Sequence, residues 1–158
     1  KSFDQVGRDA RSISRVNGGK LDFESVDLVI TSPPYAGAQK YIRASSLSLG
    51  WLGLAGAGQL KPLENATIGR EHLTPDHRSV AFGRFSGELR GVLDRIHKKN
   101  PIRAAICFTY IREMEDALLE VASVLKVGGY FILIIGNNEV SSSGHQDFLP
   151  ILCGVQGS

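Results

Sequence analysis

The sequence predicts an α/β fold in which a parallel sheet carries flanking helices. Two apolar runs of strand character, Val26–Thr31 and residues 130–135, lie far apart in the chain. Between them stand stretches whose apolar residues recur at helical spacing. Strands that alternate with amphipathic helices are the pattern of a sheet built from crossover units. The chain has 158 residues, 42% hydrophobic and 22% charged, with a formal net charge of +2. That is enough for about one domain with one core. It excludes a disordered chain, which has less apolar content and more net charge.

Two cysteines, Cys107 and Cys153, are too few for a disulfide-built secreted domain. Both sit among apolar neighbours, which points to a reducing, cytoplasmic setting. No run approaches the roughly 18 to 20 apolar residues of a membrane span, so no membrane partner is expected. His72, His77, His97 and His145 are scattered, and no Cys/His cluster has metal-ligand spacing. The chain begins at Lys1 without a signal-like apolar stretch, and its one methionine is Met114. The expectation is a mature, trimmed or fragmentary chain.

Val26–Thr31 is short and β-branched and is stopped by Pro33 and Pro34, which predicts a buried, parallel strand. From residue 38 to about 52, Tyr41, Ala44, Leu47 and Trp51 fall at helical spacing, with Gly50 and Gly53 weakening the end. Helical spacing makes Tyr41 and Trp51 core residues rather than base-stacking platforms. Residues 53–83 hold five glycines and two prolines without a sustained period, the mark of an irregular connection, lid or recognition insertion with at most a short helix. Residues 86–99 form a better helix, with Leu89, Val92, Leu93 and Ile96 on one face. Ser86 is placed to cap its start, His97, Lys98 and Lys99 suit its negative end, and Asn100 and Pro101 end it. Ile106, Tyr110, Met114, Leu118, Val121 and Leu125 then predict one long helix over 103–125, with Lys126, Gly128 and Gly129 as its stop. Residues 130–135 form the second buried strand. A polar, Ser-rich tail and a short apolar patch at 148–152 follow.

The residues that carry chemistry are Thr31, Ser32, Pro33, Pro34 and Tyr35, at the carboxyl end of the first strand. Ligands of open α/β sheets gather beyond that end. The residue types suit methylation of an exocyclic amine of a base, a poor nucleophile because its lone pair is delocalised into the ring. Two acceptors that take both amine hydrogens pull the nitrogen towards a tetrahedral geometry. The Ser32 hydroxyl and the Pro33 carbonyl can be those acceptors. Consecutive prolines fix φ and offer no N–H, which holds the carbonyls in place. The Tyr35 ring can stack on a base flipped from its helix.

Strand and motif together resemble the catalytic motif of the S-adenosylmethionine-dependent DNA amino-methyltransferases: Asp, Asn or Ser, then Pro-Pro and Tyr or Phe. The resemblance implies a partial Rossmann-like class I methyltransferase sheet with flanking helices. It also implies DNA as partner, S-adenosylmethionine as cofactor, and a role in DNA methylation such as restriction-modification. The Thr-Ser-Pro-Pro-Tyr form implies cytosine N4 as the target, with adenine N6 as the related alternative. Catalytic roles fall on Ser32, Pro33, Pro34 and Tyr35, and Thr31 adjoins the cofactor. Gly7, Asp9, Ala10 and Arg11 are similar to the family's Gly-Asp-Ala-Arg segment. That similarity implies that Asp9 meets the cofactor's adenine and Ala10 adds a backbone contact, although Arg8 is inserted into the pattern. Residues 114–133 are similar to the family's helix, turn and next strand, with Val127 where proline is more usual. The family's glycine-rich turn, Phe-x-Gly-x-Gly, is absent. The resemblance therefore implies a catalytic-motif half, whose missing N- or C-terminal half carries that turn.

Blander readings stand beside these. Pro33 and Pro34 can simply end a strand, and Asp9 can cap a turn. Arg43, Arg90, Arg95, Lys98 and Lys99 can line a solvated helix face rather than a DNA backbone. Asn137 and Asn138 either line the pocket or form a turn. At the level of function, methylation of RNA or a protein amide, or a non-catalytic nucleic-acid-binding subunit or remnant, compete with DNA methylation.

Overall fold

Two strands distant in sequence pair in parallel and organise the molecule. The computed structural model describes residues 9–37, 41–56, 58–73, 82–135, 140–142 and 145–147. Strand β1 (Val26–Thr31) runs beside β2 (Leu125–Leu133), with Leu28 opposite Tyr130, Ile30 opposite Ile132 and Thr31 opposite Leu133. The Ile134 N–H donates to the Thr31 carbonyl at 2.9 Å, which carries the ladder one residue further. The protein is thus a mixed α/β structure with a two-stranded parallel sheet and flanking helices. A separate antiparallel hairpin joins β3 (Val140–Ser142) and β4 (His145–Asp147). The apolar patch at 148–152 and Asn137 and Asn138 lie outside the described residues.

The strands are not buried as expected. The register puts Leu28, Ile30, Tyr130 and Ile132 on one face, where they are 48%, 59%, 73% and 46% exposed. Val29, Thr31 and Leu133 on the opposite face are half-buried. A parallel sheet hides both faces only when helices cover both, and composition cannot reveal which faces receive one.

Five α-helices are described: α1 (Tyr41–Ala44), α2 (Ser46–Trp51), α3 (Leu60–Ala66), α4 (Gly87–Lys99) and α5 (Pro101–Val124). The single helix expected over 38–52 is therefore two short pieces that break at Ser45; residues 38–40 lie outside the described set. Trp51 is 91% exposed, Leu47 78% and Tyr41 39%, so neither Trp51 nor Tyr41 is a core residue. Helical spacing aligns side chains on one face, but it cannot supply a neighbour to bury them. Ser46, Ser48 and Gly50 also lower the helix propensity of this stretch. The one short helix allowed within 53–83 is α3.

Asn100 ends α4 and starts α5. Its side chain accepts from the Arg103 N–H at 3.0 Å, and Pro101 takes the first helical position, where a missing N–H costs nothing. The helix thus begins two residues before the expected Arg103. Asn100→Ala is expected to lower stability by about 1 kcal/mol, read as a small drop in the midpoint of chemical unfolding. Ser86 occupies the N-cap of α4 but makes no side-chain cap bond.

Helix α5 ends at Val124, and the chain passes directly into β2 at Leu125. Gly128 and Gly129 are therefore not the helix stop but part of β2. Between the pairs Val26–Leu125 and Leu28–Tyr130 the register shifts, and Gly128 has a φ of 78° there. The incoming strand also satisfies the helix end. The Glu24 and Ser25 N–H groups donate to the Ser123 and Val124 carbonyls at 3.2 and 2.9 Å, two of the acceptors a helix C-terminus leaves open.

The core lies between α4 and α5. Leu93 and Ala104 are fully buried, joined by Phe82, Cys107 and Phe108. Phe82 and Phe85 meet the Phe108 ring at centroid distances of 5.6 and 5.3 Å. A second cluster, Leu73, Ala105 and Ile106, covers another side of the same helix, so residues 104–110 are all buried in succession. Among the described residues no helix is long and apolar enough to cross a membrane.

Candidate functional site

The motif leaves the sheet at the carboxyl end of β1, and the parallel register brings the end of β2 to the same edge. Thr31 is the last residue of β1, half-buried and bonded through its carbonyl to Ile134. Ser32 follows and is exposed; among the described residues nothing bonds its hydroxyl or the Pro33 carbonyl. Pro33, Pro34 and Tyr35 are half-buried in chain that belongs to no helix or strand. Ser32 is thus open, while Pro33, Pro34 and Tyr35 behind it are half-buried.

That packing has few handles, because Pro33 and Pro34 have no N–H. The Tyr35 N–H donates to the Tyr41 hydroxyl at 3.4 Å, and the Gly37 N–H donates to the Gly69 carbonyl at 3.0 Å. Arg103 on α5 donates to the Gly37 carbonyl at 3.5 Å. Tyr110 on α5 has its hydroxyl pKa raised by burial and, secondarily, by the nearby Tyr41 hydroxyl. Gly69 lies against the motif. A Cβ there would lie 2.5 Å from the Tyr35 carbonyl oxygen, and its φ of 79° already disfavours a side chain. Gly69→Ala is expected to cost about 2 kcal/mol and to displace Tyr35, read from thermal unfolding together with Tyr35 aromatic chemical shifts.

Asp9 sits in a side-chain turn. Its Oδ1 accepts the Arg11 N–H at 2.9 Å, and both carboxylate oxygens accept from the Arg11 guanidinium, with the shortest contact 2.7 Å. This hydrogen bond to Arg11 holds the Asp9 carboxyl below its ordinary value, against the opposing effect of burial. Arg11 also reaches the Ala66 carbonyl at 2.9 Å and Glu113 at 3.1 Å. Arg70 meets both oxygens of Glu113 at 2.8 and 3.0 Å. Asp9, Arg11, Glu113 and Arg70 thus form a chain of alternating charge whose Glu113 end is buried. Ala10, beside Asp9, is exposed.

Further along α5, buried Glu120 closes the N-terminal segment. Its carboxylate accepts the N–H groups of Ile13 and Ser14, both at 2.9 Å, the Ser14 hydroxyl and the Asn17 amide. Burial alone would raise the Glu120 carboxyl; the bonds from Ser14, Asn17 and Ile13 outweigh it and hold the carboxyl below its ordinary value. A shallow cleft nearby is lined by Arg11, Asn17, Asp116, Leu119 and Glu120, none of them a motif residue.

The other charged residues singled out in the sequence lie away from the motif's own hydrogen bonds. Arg90 pairs with Asp94 at 2.8 Å and lies over the Phe82 ring at 5.9 Å, so it serves α4 itself. Arg43, Arg95 and Lys98 are exposed. Burial pushes the Cys107 thiol up, which makes it an inert core residue. Among the described residues no group of His, Cys, Asp or Glu is placed to hold a metal.

Gly69, Arg70, Arg103, Glu113 and Glu120 escaped the sequence reading. One signal was present. Tyr110, Glu113, Ala117, Glu120 and Val124 recur every three or four residues, and all five are buried. A carboxylate on such a stripe needs a partner. Gly69 and Arg70 gave no such signal within residues 53–83.

Set against protein-family models, curated proteins and solved structures, the chain matches none of them.

Proposed function

We propose that this protein is the catalytic-motif part of an S-adenosylmethionine-dependent DNA amino-methyltransferase, acting on cytosine N4 or the related adenine N6. The observation that carries the reading is the motif itself. Ser32, Pro33, Pro34 and Tyr35 follow a parallel strand at its carboxyl end, with the Ser32 hydroxyl exposed and the loop behind it packed. In this reading the partial sheet is of the Rossmann-like class I type, and the bare face of β1 and β2 awaits the rest of it.

The chain's own residues act on the amine. Ser32 Oγ and the Pro33 carbonyl oxygen each accept one amine hydrogen, which localises the nitrogen lone pair. Tyr35 stacks on the flipped base and keeps the amine at the two acceptors. Acceptors fixed in advance act most strongly where charge develops on the attacking nitrogen. S-adenosylmethionine, when bound, supplies the electrophilic methyl group.

The cofactor's seat fits this chain only in part. Asp9 is tied to Arg11 through both carboxylate oxygens, so meeting an adenine requires it to give up that pair. The sequence holds no glycine-rich turn for the methionine end. A further part carrying that turn belongs to the same reading, and no step is assigned to Asp9, Ala10 or Thr31. The decisive experiment offers labelled S-adenosylmethionine with DNA, RNA and protein to the full-length gene product. Label in DNA supports the reading. Label in RNA or protein replaces the substrate. Cofactor and DNA binding without transfer favours a non-catalytic nucleic-acid-binding subunit, which the absent turn also motivates.

A further inference from the structure

The motif loop has almost no means of holding itself. Two of its residues lack an N–H, and its firm amide anchor is the Gly37 bond to the Gly69 carbonyl at 3.0 Å. Gly69 also forms the surface against which the Tyr35 carbonyl rests. The place of Gly69 therefore sets the place of the motif. Its neighbour Arg70 has a side chain only 9% exposed, bonded to both oxygens of Glu113 and, at 3.2 Å, to the Thr67 carbonyl. Glu113 stands on α5, the longest helix described and part of the core.

We propose that the Arg70–Glu113 pair is the positioning device of the motif loop: it clamps residues 69 and 70 to α5, and they in turn hold Tyr35 and Gly37. One guanidinium nitrogen, Nη1, meets both oxygens of the Glu113 carboxylate and the Thr67 carbonyl, so the charged head of Arg70 is tied to α5 and to its own loop at once. Glu113 is buried and Arg70 half-buried, so the pair is only partly screened by salt and is costly to break on the arginine side alone. Arg11 shares Glu113 from the opposite direction, and its bond to Asp9 keeps the group electrically balanced. The two arginines thus have separable duties: Arg70 ties the segment beside the motif to α5 through its neighbour Gly69, and Arg11 engages Asp9. For methyl transfer the inference rests on the function proposed above. The positional claim itself does not.

The test is amide hydrogen exchange on the full-length gene product, which needs no activity. In Arg70→Met, exchange at Gly37 is expected to rise at least about 10-fold, with amides of α4 and α5 unchanged. Arg11→Met, which leaves the Arg70–Glu113 pair in place, is expected to leave Gly37 unchanged. Arg70→Lys restores protection in part, and Glu113→Gln, nearly isosteric, repeats the loss. Where transfer is measurable, Arg70→Met lowers kcat by about 100-fold with little change in KM for DNA, as misplacement of a reacting group does.

Unchanged Gly37 exchange in Arg70→Met overturns the proposal. So does an equal rise in Arg11→Met, or a loss of protection spread through α4 and α5 in both Arg70→Met and Glu113→Gln, since each indicates general support rather than positioning. If instead Ser32→Ala leaves methyl transfer intact while Gly37 responds as described, the function proposed for the motif fails and the positioning role stands.

Discussion

On the function proposed above, Ser32→Ala is expected to lower methyl transfer to DNA by about 10²- to 10³-fold while DNA affinity and stability stay close to those of the parent. The size follows from removing one of two fixed acceptors at the atom where charge develops. The specificity follows from the position of Ser32. It is exposed, and nothing described bonds its hydroxyl, so its truncation opens no cavity and orphans no buried group. Surface changes of that kind move stability by no more than about 0.5 kcal/mol. Transfer from labelled cofactor, DNA binding and thermal unfolding, measured on the same preparation, separate the three quantities. Turnover equal to the parent's removes Ser32 from the mechanism.

The second large effect concerns stability. Glu120→Ala is expected to cost about 3 kcal/mol, which for a chain of this size lowers Tm by roughly 6–12 °C. The change strands the N–H of buried Ser14 and of half-buried Ile13, both of which now donate to one buried carboxylate. The same arrangement makes the protein sensitive to acid. Because the Glu120 carboxyl is held below its ordinary value of 4.5, the native state takes up its proton less readily than the unfolded chain does. Its stabilisation is therefore complete above about pH 4.5 and is lost as pH falls through the lower native value. Asp9, also held low, by Arg11, acts in the same direction below its ordinary 3.8. Urea midpoints between pH 3 and 7, read on parent and Glu120→Gln, check this: the parent loses stability steeply at the acid end, and the variant loses less. Parallel curves remove Glu120 as the source.

The elements that proved legible have local causes. Val26–Thr31 is a strand over the residues expected, because a β-branched apolar run stopped by Pro33 and Pro34 leaves little else open to it. Helix α4 runs from Gly87 to Lys99, near the predicted 86–99, since four apolar residues define its face and Asn100 ends it. What misled was the assumption that apolar spacing implies cover. Trp51 and Leu47 share a helical face and remain exposed. Leu28, Ile30, Tyr130 and Ile132 have strand character and remain half-open or more. Gly128 and Gly129 have the composition of a helix stop, yet they stand in β2, because pairing of Val26 with Leu125 begins the strand before they are reached.

The candidate site divides along the same line. By itself the sequence determined the strand, the motif at its carboxyl end and the chemistry those residue types suit, because all three depend on neighbours a few positions apart. Only the tertiary structure decided the parallel register, the open sheet face, the engagement of Asp9 by Arg11, and the anchoring of the motif through Gly69, Arg70 and Glu113. Arg70 and Glu113 are 43 residues apart, and Ser14 and Glu120 are 106 apart. A buried carboxylate is tolerated only where partners from such distances converge on it. No local pattern can name those partners, since the folding of the intervening chain is what brings them together.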